Sequence, residues 1–241
     1  MKLCALLMAL SIPAAFGADK HEQGVEVGKH TQRLEDATAV LDEVMRTPDR
    51  AIPQNLLDRA HCIVIIPSLV KGAFVLGAQY GKGYLSCRNT TKEGWSAPAT
   101  VRIEGGSFGF QAGGMATDVI MLVMNTRGVD GLMASKFTLG GAAEAAAGPV
   151  GRATTAQTDA LMRAQILSWS RSRGVFAGVS LKGATLRQDI DSNQRLYGKR
   201  LTTRQIVRDP NLQPTPGGAQ LIALLSRLSP KEIRQGAPVG E

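Results

Sequence analysis

Aromatic residues make up only 5% of this 241-residue chain, and histidine and cysteine occur three times each. So few rings leave no stacking platforms interleaved with arginine, so no nucleic acid is expected as a partner. His21, His30 and His61 are far apart, H-E-x-x-H is absent, and Cys62 and Cys87 lack C-x-x-C spacing. Neither a metal site nor a cofactor is expected. Gly105-Gly106-Ser107-Phe108-Gly109 matches G-x-S-x-G, but a hydrolase of that kind needs a histidine downstream of the serine, and the last one here is His61. Ser68-Leu69-Val70-Lys71 fits S-x-x-K between Pro67 and Gly72, with neither S-D-N nor K-T-G elsewhere. Gly81-Lys82-Gly83 stands without the rest of a phosphate loop, and turns or close strand packing account for its glycines. No catalytic set assembles, and the reading is of a protein that is not an enzyme.

Long apolar runs are also missing. The longest, Leu3 to Ile12, is too short for a permanent bilayer span, which takes about 20 residues. It follows Met1-Lys2 and precedes Pro13-Ala14-Ala15-Phe16-Gly17, so residues 1–17 read as a signal peptide cut after Gly17, and the expected location is periplasmic or secreted. Of the three cysteines only Cys62 and Cys87 lie beyond that cut. They are either a disulfide or two buried free thiols, because spacing gives no distance between them.

What the chain does have is positive charge in one place. The formal net charge is +8, and between Arg152 and Arg208 eleven basic residues face three acids, which is the whole excess. An anionic partner follows from such asymmetry, and for an exported protein anionic lipid headgroups or a membrane surface fit better than nucleic acid. A solvated basic surface is the plainer alternative.

The hydrophobic pattern gives an α+β chain. Ala18 to His30 has no clear period and reads as a flexible lead-in. From Thr31 to Arg46 the apolar residues Leu34, Ala37, Leu41, Val44 and Met45 recur at helical steps, and Pro53 opens a second, shorter helix. Cys62 to Ile66 reads as a strand covered on both faces and stopped by Pro67. Short glycine-rich strands follow at Ala73–Tyr80, Gly83–Arg88, Ala99–Glu104, Ser107–Ala112 and Val119–Asn125, the pattern of an antiparallel, glycine-rich sheet or partial barrel with flanking helices. Later come a helix near Gly128–Ser135, a strand at Lys136–Leu139, a hairpin about Lys182-Gly183, and helical pieces at Asn193–Tyr197 and Thr203–Arg208. Residues 18–208 thus form one domain with N-terminal helices. Residues 209–241 read as a Pro/Gly linker and an amphipathic tail helix, whose stripe Leu221, Ile222, Leu224, Leu225, Leu228 docks on the domain or serves self-association.

Six segments, in order, carry a resemblance: Cys62-Ile63-Val64-Ile65-Ile66-Pro67, Tyr80-Gly81-Lys82-Gly83, Trp95-Ser96-Ala97-Pro98, Gly106 to Gly113, Gly148-Pro149-Val150-Gly151-Arg152, and Ser168 to Leu181. Together they resemble the SYLF domain family over residues 60 to 200, with Trp169 where the family usually has tyrosine. The resemblance implies binding of phosphoinositide-like or other anionic lipids. Actin, which some family members bind, is not expected of an exported chain. In eukaryotic members a helix ahead of the domain touches membrane. Here the matching helix carries Glu35, Asp36, Asp42 and Glu43, so it is expected on the core. With the charge asymmetry, the expected headgroup ligands are Arg171, Arg173, Lys182, Arg187, Arg195, Lys199 and Arg200.

Overall fold

A computed structural model describes residues 18–47, 51–73, 77–89, 94–107, 115–140, 145–151, 164–172 and 174–230. The chain starts with α1 (Ala18–Met45) and α2 (Gln54–Arg59), then β1 (Cys62–Ala73), β2 (Gly77–Cys87), β3 (Ala99–Ser107) and β4 (Met115–Val123). α3 (Thr126–Leu132), β5 (Lys136–Thr138), β6 (Ala145–Ala147), β7 (Ile166–Ser172), β8 (Val175–Gly178) and β9 (Thr185–Gln188) follow. It closes with α4 (Ile190–Tyr197), α5 (Thr203–Arg208) and α6 (Pro216–Leu228). The strands form one sheet in the order β5-β9-β3-β2-β1-β4-β7-β6, with β8 also paired to β7. Every pairing is antiparallel except β6 with β7, so the expected α+β architecture is present with one parallel pair.

β1 is the centre of the sheet, and its alternation explains why its sequence is apolar without a break. Ile63 and Ile65 face one core together with Leu34, Leu41 and Val44 of α1 and Leu221 and Leu225 of α6. Cys62, Val64 and Ile66 face the other, beneath Leu132 and Met133 at the end of α3 and Ile206 and Val207 of α5. Both faces of the strand are dry, as a continuous β-branched run requires.

Three features differ from the sequence expectations. Ala18 to His30 is not a lead-in but the first part of α1; its Ala, Lys, Glu and Gln are strong helix formers, and extending a helix already held by Leu34 to Val44 is cheap. β1 runs through Pro67. The register against both neighbours shifts between Ile65 and Val70, so a bulge holds Pro67 and Ser68, the latter at φ +58°, with its N–H donating to Asp118 Oδ1. The hairpin about Lys182-Gly183 does not form: β8 returns along β7, and β9 inserts between β3 and β5, where Leu186 joins the second core. Of the two roles expected for the tail stripe, docking on the domain is the one present: Leu221, Leu224 and Leu225 are buried against α1 and are not open for self-association. The expected strand at Ser107–Ala112 lies largely outside the described residues.

Cys62 and Cys87, 25 positions apart in sequence, face each other in the β1–β2 register and are joined by a disulfide. Closing a loop of that length stabilises the fold by about 3 kcal/mol in the chain-entropy account. The Cys62→Ser/Cys87→Ser variant is therefore expected to lose about 3 kcal/mol in urea unfolding. The wild-type protein in reducing buffer should fall to the same value.

Candidate functional site

The helices cover only part of the sheet face that bears α1. Tyr84 of β2 is buried there with its hydroxyl donating to the His30 carbonyl at 2.9 Å, and burial pushes its phenol up to about 12. Beyond it, toward β5, the same face opens to solvent. Directly opposed residues of neighbouring strands share a face. Lys136 of β5 opposes Arg187 of β9, Arg187 opposes Arg102 of β3, and Arg102 opposes Lys82 of β2. Four strands thus place four cations in one row. The intervening residues Val101, Ile103 and Leu186 turn to the buried side, which fixes the row outward.

The next row on that face reads Thr138, Thr185, Glu104, Tyr80, Val70 and Ala116. Glu104 pairs with Arg187 and, at 3.4 Å, with Arg102. All three side chains remain about a third exposed, and Lys136 is exposed with no ion pair among the described residues. Lys82 is spoken for: its Nζ lies 2.7 Å from Asp189, the residue that caps α4. Burial would raise the Asp189 carboxyl, but the bonds from Lys82 and Ser192 outweigh it and hold it below the ordinary carboxylate range. The row therefore offers Lys136, Arg187 and Arg102 against one carboxylate. Beside it stand Val70 and Tyr80, opposed in register and about half exposed, the only large hydrophobics on this face so open among the described residues.

The seven cations expected from sequence divide into three groups. Arg171 belongs to the fold: its guanidinium pairs with Asp118 of β4 and with Glu43 of α1, and Asp118 also holds the Ser68 bulge. Arg200 pairs with Asp191 at 3.1 Å on the surface. Lys182, Arg195 and Lys199 are exposed with no ion pair among the described residues. They flank β9, Lys182 at the turn before it and the other two on and just after α4. Only Arg187 sits in the row itself. Arg173 lies outside the described residues.

Sequence reading missed Lys136, Arg102 and Lys82. All three precede Arg152, outside the segment where the charge excess was counted. The alternation Val101-Arg102-Ile103-Glu104 already showed Arg102 on a solvent face, but the neighbour relations needed the strand order.

The protein-family profile described as "Las17-binding protein actin regulator", Ysc84, matches residues 104–228. LAS seventeen-binding protein 3 of Saccharomyces cerevisiae is 31% identical over 183 residues, which span 73% of this chain and 39% of the yeast protein. The human SH3 domain-containing YSC84-like protein 1 is 29% identical over 191 residues, 78% of this chain and 55% of that protein. Its Bos taurus counterpart is 31% identical over 151 residues, 62% of this chain and 44% of that protein. The chain thus spans about two fifths to little more than half the length of these relatives. The family profile covers Lys136 and Arg187 of the basic row but not Arg102 or Lys82, together with β4 to β9 and the closing helices, and on that match the chain belongs to the Ysc84 family, the group built on the SYLF domain that its motifs resemble.

Proposed function

We propose that this protein is an exported, peripheral lipid-binding protein that docks on anionic headgroups through the open sheet face of Lys136, Arg187 and Arg102. The observation that carries the reading is a cation row lying beside the exposed Val70–Tyr80 pair. A free anion has no use for the apolar neighbours, whereas a bilayer interface takes up aromatic and aliphatic side chains at headgroup depth. Lys182, Arg195 and Lys199 extend the positive field along both ends of β9. The Cys62–Cys87 bond supports an oxidising compartment, in keeping with removal of residues 1–17 on export.

Each cation near an anionic surface contributes about 1 kcal/mol, so three give a binding constant raised roughly 100-fold over a neutral surface. Vesicle co-sedimentation tests this. Wild type is expected to pellet with vesicles rich in phosphatidylglycerol or a phosphoinositide and to stay in solution with phosphatidylcholine. Binding should fade as salt shortens the screening length from about 10 Å at 0.1 M to about 3 Å at 1 M. The Lys136→Ala/Arg187→Ala/Arg102→Ala variant should lose about 100-fold in affinity. Equal binding to neutral vesicles, or an unchanged triple variant, would contradict the mechanism.

The family description names an actin regulator, and the expectation that actin is not a partner rests only on the reading of residues 1–17. The same preparation is therefore also spun with actin filaments. Pelleting with filaments and not with anionic vesicles would overturn the lipid reading.

A further inference from the structure

At the opposite end of β1 from Val70, the last residues of α2 meet α3 and α5, which pack on the opposite sheet face, around a cleft of about 860 Å³. Its volume lies in the range of small-molecule sites. The floor is apolar: Ala60, Val129, Met133 and Val207, with the Cys62–Cys87 bond beneath. The rim is charged. Arg59 ends α2, Arg208 ends α5, and His61 and Asp130 complete it, all four exposed. None of these four side chains has an ion-pair or hydrogen-bond partner among the described residues. Arg88 also lines the cleft, but its guanidinium is consumed by backbone carbonyls of α2 and by Ser229.

A dry floor under two unpaired guanidinium groups suits a ligand with an anionic head and a hydrocarbon body. We infer that this cleft is a second binding site, taking a single-chain anionic amphiphile whose carboxylate or phosphate head bridges Arg59 and Arg208 while its chain lies over Val129, Met133 and Val207. The plainer role for the two arginines is to balance the negative C-terminal ends of α2 and α5. That role needs no cavity between them, and it does not account for an apolar floor left open beside two charges. The site holds one monomer from solution and differs in this from the open face, which meets a surface. It stands whether or not the vesicle reading does.

Calorimetric titration of the full chain with oleate and with lysophosphatidylglycerol, each below its micelle concentration, tests the inference, with inorganic phosphate as the head-only probe. Wild type should bind at least one amphiphile saturably at one site and phosphate at least about tenfold more weakly. Arg59→Glu/Arg208→Glu should weaken the amphiphile at least about tenfold, since two charge-assisted contacts are lost. Asp130→Asn should tighten it, a change that a helix-end role of the arginines does not produce. Val129→Trp fills the floor with the rim intact and should also abolish binding, so a folding defect in the first variant leaves the test standing. The lysyl and arginyl row on the far face is untouched by these changes, and vesicle pelleting by the Arg59→Glu/Arg208→Glu variant should match wild type. No saturable binding of either amphiphile, phosphate binding as tight as the amphiphile, or affinity unchanged in both Arg59→Glu/Arg208→Glu and Val129→Trp would overturn the site.

Discussion

Gly83→Ala is expected to destabilise the protein by at least about 3 kcal/mol, a large share of the 5–15 kcal/mol that holds a domain of this kind together. A methyl group on Gly83 would sit 2.0 Å from the Ile65 carbonyl oxygen and 2.7 Å from the Ile66 Cα. Both are backbone atoms of the central strand at the start of its bulge, and neither can turn aside as a side chain does. Neighbouring positions give the scale. A methyl on Gly81 meets the Ile66 Cγ2 at 2.8 Å and the Leu69 Cα at 3.1 Å, so part of the clash is with a side chain able to shift, and Gly81→Ala should cost about 1–2 kcal/mol. On Gly72 it meets nothing within 4 Å, and Gly72→Ala should stay within about 0.5 kcal/mol of wild type. Urea midpoints for the three variants decide it: the idea fails if Gly83→Ala and Gly72→Ala melt together.

That ordering accounts for the Gly81-Lys82-Gly83 element, which as a bare motif could be mistaken for part of a phosphate loop. Of the two explanations that the sequence allowed, close packing is the right one, since neither glycine is in the left-handed region. The bulge that carries Pro67 past β2 needs room, and the glycines supply it while Lys82 between them turns outward to Asp189. Another family segment is explained in the same way. The indole N–H of Trp169 donates to the Pro149 carbonyl at 2.8 Å, and a methyl on Gly148 would lie 2.1 Å from its ring. The glycine and the aromatic residue form one packed unit across β7, so two motifs that are separate in sequence meet in the fold.

The fold was legible where local pattern and burial agree. The helical stripe Leu34 to Val44, the two-faced run Cys62 to Ile66 and the helix after Asn125, whose side chain accepts from the Gly128 N–H, needed no distant partner to be recognised. β8 and β9 were misjudged because a two-residue turn between them looked local. Their partners are β7 on one side and β3 with β5 on the other, contacts that no nearby residue signals. The site was half legible for the same cause. Exposure of Lys182, Arg195 and Lys199 follows from a polar, glycine-marked context. The spending of Arg171 on Asp118 and Glu43 depends on which strands adjoin β7, and the row Lys136–Arg187–Arg102 on which adjoin β9. Counting charge along the chain found the right sign and missed the place, because antiparallel register gathers cations separated by up to 85 positions, from Arg102 to Arg187.

Arg88→Ala should cost about 3 kcal/mol or more, and Arg88→Lys nearly as much. Arg88 follows the last residue of β2, and its guanidinium lies 4.5 Å from the centre of the Trp95 ring. Nε donates to the Ala60 carbonyl at 2.9 Å, Nη2 to those of Leu57 and Asp58 at 3.2 and 3.1 Å, and Nη1 to that of Ser229 at 3.2 Å. Leu57, Asp58 and Ala60 end α2, where carbonyls run out of partners in the helix and only that of Leu57 accepts a backbone N–H, from Ala60, and Ser229 ends α6. One planar cation with five donors thus closes two helices and ties both to the sheet, which a lysine with a single ammonium centre does not reproduce. Burial pulls its pKa down and Asp58 opposes that, so the cost of hiding the charge is already met in the native fold; removing the side chain takes the Arg88 donor from the Asp58 and Ala60 carbonyls and leaves those of Leu57 and Ser229 only the Ala60 N–H and the Trp95 indole. Hydrogen exchange gives the specific readout. Amides of α6 should exchange faster in Arg88→Ala, out of proportion to β1 and β4, because α6 loses its end anchor while the sheet keeps its register. Uniform acceleration across the chain would place the role of Arg88 in global stability alone, and an Arg88→Lys protein as stable as wild type would show that charge, without the planar fork, is sufficient.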